Sequence, residues 1–148
     1  MAPGLHPDVL EQAMLSDQAS SKSEVVLLVD DEASIRRLVR TILEGIGYVV
    51  LDAGNGLEGL AVCRTHEGPI HVLVSDVVMP VLGGCELAAG AVELRPDLRV
   101  LLMSGHCEEG VLGRVPAGTA FLRKPFTSMA LAQKVRATLD SRPSPSPG

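Results

Sequence analysis

Five short apolar runs punctuate the chain: Val25-Val26-Leu27-Leu28-Val29, Tyr48-Val49-Val50-Leu51, Val72-Leu73-Val74, Val100-Leu101-Leu102-Met103 and Ala120-Phe121-Leu122. None alternates with polar residues, which is the pattern of strands covered on both faces. Between them the spacing changes to that of a helix face. Ile35, Leu38, Val39, Ile42 and Ile46 make one stripe, and Gly45 or Gly47 marks its end. Leu57, Leu60 and Ala61 predict a second helix, Leu87, Ala88, Ala91 and Leu94 a third that stops before Pro96, and Leu131, Val135 and Leu139 a last one after Pro125. Strand-helix alternation requires parallel crossovers, so the pattern predicts a three-layer α/β fold of (βα)5 type, a doubly wound parallel five-stranded sheet between helices.

The ends depart from this pattern. Residues 1–23 are mostly polar and read as a flexible N-terminal arm, and the Ser/Pro-rich residues 141–148 as a disordered tail. The domain is therefore expected over 24–140. The stretch from Cys107 to Thr119 should carry a further helix, yet Gly110, Gly113, Pro116 and Gly118 leave room for little more than two turns.

Composition narrows the function classes. With 46% hydrophobic residues in 148 and a net charge of −5, the chain suits one domain with a substantial core. No Lys/Arg cluster awaits phosphates, and one Tyr, two Phe and no Trp offer little for bases to stack on, so no nucleic-acid partner is expected. No apolar run approaches the roughly 20 residues of a membrane helix, and no membrane partner is expected. Cys63, Cys85 and Cys107 are odd in number and lack CxxC spacing, which fits a reducing cytoplasm better than a disulfide framework. Cys63 reads as a core thiol, and His66, His71 and His106 as surface or strand residues.

The chemistry lies at the strand ends. In open parallel sheets, sites form beyond the carboxyl ends of the strands. The first run ends in Asp30-Asp31, the third in Asp76, the fourth in Ser104 and the fifth in Lys124-Pro125. Three carboxylates and one lysine at one edge leave an excess of negative charge, which a divalent cation would neutralise. Hard oxygen ligands favour Mg²⁺. Such an ion, the Lys124 ammonium and the Ser104 hydroxyl would together meet the oxygens of a phosphoryl group, with Asp76 as nucleophile.

Val29-Asp30-Asp31-Glu32, then Asp76-Val77-Val78-Met79-Pro80 with Gly83-Gly84 and Glu86-Leu87, then Ser104-Gly105 and Lys124-Pro125-Phe126 resemble the receiver domain of bacterial two-component response regulators. The resemblance runs from about Glu24 to Leu139. It implies a flavodoxin-like fold, chemotaxis-regulator-like, in which Asp76 accepts a phosphoryl group from a sensor histidine kinase or a histidine phosphotransfer protein. It implies direct Mg²⁺ ligation by Asp31, Asp76 and the Val78 carbonyl, with Asp30 acting through water, and phosphoryl contacts from Ser104 and Lys124. Ser104 and Phe121 would form the switch. Phe121 lacks a hydroxyl, so it would work by burial, and the output would pass to a downstream protein target.

Three other readings fit the residues less well. A haloacid-dehalogenase-type phosphatase would place its nucleophile after the first strand with a second carboxylate two residues on, whereas Asp30 and Asp31 are adjacent. A flavodoxin-like FMN binder would need a Ser/Thr/Gly-rich loop after the first strand. A pure interaction module would have no use for the acidic pair, Asp76, Ser104 and Lys124 together. The chemistry expected is thus phosphorylation and dephosphorylation of the chain itself, not turnover of a free substrate.

Overall fold

The computed structural model describes residues 24–105 and 115–141. Within them the chain runs β1 (Val25–Val29), α1 (Ala33–Ile46), β2 (Val49–Ala53), α2 (Gly56–Thr65), β3 (Val72–Asp76), α3 (Gly84–Leu94), β4 (Arg99–Ser104), β5 (Ala120–Arg123) and α4 (Ser128–Asp140). The five strands form one parallel sheet in the order β2-β1-β3-β4-β5. Strand order therefore reverses between β1 and β3, the position at which doubly wound sheets bind ligands. The predicted fold class is the observed one. The segment expected to carry the poorly specified helix lies largely outside the described residues.

Strand pleating sorts the core into two layers. Val26 and Leu28 of β1 join Val74, Leu101 and Met103 beneath α1 and α4, while Leu27 and Val29 join Leu73 and Leu102 beneath α2 and α3. On α4 the predicted stripe is the buried one, since Leu131, Val135 and Leu139 all face the sheet.

Helix α2 is different. Of its expected stripe, Leu57 is 55% exposed and Ala61 is also on the surface, whereas the buried face consists of Gly56, Gly59 and Cys63. Close packing explains the exchange. A Cβ on Gly59 would stand 3.0 Å from Val29 Cγ2 and 3.2 Å from Leu87 Cδ1, and one on Gly56 would be 2.6 Å from the Leu82 carbonyl. At these two positions the helix lies so near its neighbours that a glycine is what fits, while Cys63 fills the inner face one turn on. The second strand is also displaced, running Val49–Ala53, so that Asp52 lies within it.

Cys63 is buried, and burial pushes its thiol pKa up, as expected of a core residue. His71 Nδ1 accepts a hydrogen bond from the Val25 amide at 2.8 Å, a structural use at the amino end of the sheet.

Candidate functional site

β1 delivers Asp30 directly from the core, and the residue has 0% exposure. Its amide donates to the Ala53 carbonyl at 3.3 Å, and its Oδ1 accepts from the Glu32 amide at 2.9 Å. Glu32 is the N-cap of α1, so Asp30 closes the turn just before the helix and is not its cap residue. The other oxygen, Oδ2, is buried without a hydrogen-bond partner. Burial raises the pKa of this carboxyl above its usual range, and the neighbouring charges of Asp76 and Asp31 push the same way, against the Glu32 amide and Lys124.

Asp76 is the last residue of β3 and is pinned on both sides. Its own strand is paired to β1 and β4, and the following Val77 amide donates to the Met103 carbonyl at 2.9 Å. Gly84, the first residue of α3, packs against it: a Cβ there would be 2.2 Å from the Asp76 carbonyl oxygen. Ligand oxygens of Asp30, Asp31 and Asp76 all lie within 4.8 Å of one another. Lys124 follows β5, with Nζ 3.2 Å from Asp76 Oδ2 and 4.0 Å from Asp30 Oδ2. Its amide donates to the Ser104 carbonyl at 2.8 Å, which ties the end of β5 to the end of β4. Ser104 is itself buried.

The predicted residues thus converge, though not all by direct contact. Asp30, Asp31, Asp76 and Lys124 meet through their side chains. Ser104 is joined to Lys124 through the backbone. Val78 lies two residues beyond Asp76 in the connecting loop, its side chain 72% exposed. Phe121 is half-buried on β5, packed into the layer that holds Leu102 and Val115. His106 and Cys107 lie outside the described residues.

Three features of the site had not been anticipated. Arg36, on the first turns of α1, donates from Nη1 to the Asp30 carbonyl at 2.6 Å. Val81 has φ 75°, and the Leu82 amide bonds back to the Pro80 carbonyl at 2.8 Å, which makes the loop after Asp76 a tight γ-turn centred on a β-branched residue. Beside Lys124 runs an apolar groove of about 420 Å³ lined by Ile35, Leu38, Val39, Pro125 and Phe126.

The donor set suits a hard divalent cation. Among the described residues its side-chain donors are carboxylate oxygens, one of them buried without a hydrogen bond, with the Lys124 ammonium beside them.

Comparison with known proteins gives a consistent result. The response regulator receiver domain family model matches residues 26–136. The sensor kinase CckA of Brucella abortus is 35% identical over 124 residues, a match covering 82% of this chain and 13% of that kinase. The response regulator receiver protein CpdR of the same organism is 33% identical over 116 residues, covering 77% of this chain and 95% of CpdR. Among solved structures, a CheY-like receiver domain protein of Methanospirillum hungatei JF-1 superposes with a TM-score of 0.72 at 28% identity, over 80% of this chain and 95% of that one. The receiver domain of the hybrid histidine kinase CckA gives 0.68 at 33% identity, over 78% and 99%.

Proposed function

We propose, from the premise that this chain belongs to the response regulator receiver domain family and is a phosphoacceptor of two-component signalling, that Asp76 is the acceptor and that the receiver unit spans residues 24–140. The observation that carries this assignment is the Lys124 ammonium 3.2 Å from Asp76 Oδ2, beside carboxylates that crowd the same edge. Asp76 ends the strand between β1 and β4 and is itself registered with Met103 of β4, which limits the directions its carboxylate can take.

In the reaction a carboxylate oxygen of Asp76 forms a bond to phosphorus as the phosphorus–nitrogen bond of a phosphohistidine breaks, and the bonding pair leaves with the imidazole. Lys124 stands where it can follow the developing charge on the phosphoryl oxygens, and Ser104 shares its strand edge. Asp30, Asp31, Asp76 and the Val78 carbonyl would hold Mg²⁺. Once bound, the ion offsets the negative charge of carboxylate and phosphoryl group as they approach. Water later cleaves the acyl phosphate and restores the Asp76 carboxylate. The chain thus acts on itself.

The phosphodonor is a sensor histidine kinase or a histidine phosphotransfer protein, and the apolar groove is its seat. Leu38 is 54% exposed there, and Lys124 belongs both to the groove wall and to the acceptor site, so a helix lying in the groove would bring its histidine to Asp76. Ser104 and Phe121 carry the phosphorylated state outward to a downstream protein target, through the backbone tie of Lys124 to Ser104 and the packing of Phe121. Among the described residues no helix is long and apolar enough to cross a membrane, and a cytoplasmic setting suits the family's role and the buried free thiols.

Mass spectrometry after exposure to a small phosphodonor with Mg²⁺ tests the reading. One phosphoryl group is expected on Asp76, and none on a folded Asp76→Asn variant. Equal labelling of the two proteins would remove the assignment.

A further inference from the structure

We infer that Arg36 is a positioning residue for the acidic pair, and that Asp52 on the neighbouring strand aims it. The inference rests on the reading of Asp30 and Asp31 as metal-holding residues. Of the polar atoms of Asp30, the amide is bound by Ala53, Oδ1 by the Glu32 amide and the carbonyl oxygen by Arg36 Nη1 at 2.6 Å. Only Oδ2 is left without a hydrogen bond; it is buried 4.0 Å from Lys124 Nζ, on a carboxylate grouped with those of Asp31 and Asp76. The carbonyl that Arg36 holds belongs to the peptide unit joining Asp30 to Asp31. Holding that unit restrains the plane that carries both α-carbons, and with it the range of directions in which the two side chains leave the backbone.

The guanidinium is itself held. Its Nε stands 3.7 Å from Asp52 Oδ2, an oxygen that Arg40 Nη1 also meets at 3.2 Å, while Arg40 pairs with Glu44 at 2.9 Å. The chain of contacts leads from the edge strand β2 through Asp52 and Arg36 to the backbone of the acidic turn. A planar fork that bonds a carbonyl with one nitrogen and faces a carboxylate with another is a geometry lysine does not reproduce.

The sign of one measurement separates positioning from simple charge. A cation near a metal site repels the metal, so if Arg36 acted only through its charge, removing it would tighten Mg²⁺ binding. If it orients the ligands, removing it weakens binding. Calorimetric titration of the full chain with Mg²⁺ is expected to show Arg36→Ala weakened roughly tenfold, the range found when groups that orient metal ligands are lost. Arg36→Lys keeps the charge and is the gentler change for the fold, yet it too should bind several-fold more weakly, because the fork is gone. Arg37→Ala, which removes an equal charge from an exposed position of the same helix, should stay within about twofold of wild type, the scale of a screened surface charge. Wild-type binding with Arg36→Ala and Arg36→Lys unchanged or tighter would overturn this inference alone. Wild type that binds no Mg²⁺ would overturn the metal reading, and this inference with it.

Discussion

The two ends of the sheet each gather charged side chains, and they do so in opposite ways. At the amino end, Arg136 of α4 makes a two-pronged contact with Glu24 at 3.0 Å on each arm, reaches Asp140 at 2.8 Å and lies 3.4 Å from the Tyr48 hydroxyl. Glu24 is held below the usual carboxylate range by Arg136, and Arg136 is pushed up in turn. At the carboxyl end, Asp30 is held above its usual range by burial, and one of its oxygens has no hydrogen bond. One cluster is arranged so that folding favours its charges. The other keeps one charge, that of Asp30, that folding alone disfavours, which is reasonable only where a ligand completes it.

The contrast is broken most severely at Lys124. Lys124→Ala is expected to slow labelling of Asp76 by a small phosphodonor on the order of 10²-fold, the loss typical when a group that stabilises developing charge is removed. Its urea midpoint should stay near wild type, because the lysine is partly exposed and its pairing is screened. A labelling rate unchanged in the variant would deny Lys124 its part in the transfer.

Asp30→Asn is the next largest change and sharpens the comparison from the other side. The amide keeps an oxygen for the Glu32 N–H but removes the buried charge. Mg²⁺ affinity should fall by at least about tenfold, while the metal-free protein gains about 1 kcal/mol of stability. Because the folded pKa of Asp30 is raised, its unfavourable contribution is absent at acid pH and grows as pH rises through the folded value. Variant and wild type should therefore converge in acid and separate toward neutrality in urea denaturation without metal. A variant less stable than wild type at neutral pH would contradict the buried-charge account.

At the amino end the same assay should read the reverse. Arg136→Ala is expected to lose about 1 kcal/mol, a modest figure because the side chain is half exposed, with Mg²⁺ binding unaltered. The smallest effect is that of Glu24→Gln. The folded pKa of Glu24 is lowered, so its contribution is present above the ordinary glutamate range and is lost as pH falls through the folded value. The gap between this variant and wild type should close on acidification from pH 5 downward. A gap that widens in acid would mean Glu24 is not held by Arg136.

How much of this was written in the order of residues is instructive. The strands and their carboxyl ends were legible because an apolar run bounded by a carboxylate, a serine or a lysine is a local pattern, and the fold brings those boundaries to one edge. Helix α2 was legible only as a helix. Which face it buries depends on how close α3 and β1 come, and that distance turned the glycines inward and Leu57 outward. Arg36 looked like any solvated helix residue, because the carbonyl it binds is set by where β1 ends relative to α1. The left-handed Val81 gave no signal either, since its neighbours Pro80 and Gly83 mark a turn without saying which residue occupies the strained position.

The register of β3 has a consequence for how such a chain is free to change over generations. Val29 pairs with Ser75, and Asp76 pairs with Met103, so β3 is locked to a neighbour along both edges. Substitutions along it alter size or polarity one position at a time. A single-codon deletion within it is another matter, because every side chain beyond the gap is turned to the opposite face. Asp76 would then give up its place at the strand end, and the acidic pair on β1 would face a residue of the core. Length is therefore the property of this strand that tolerates change least, and exposed turns are where insertions are tolerated.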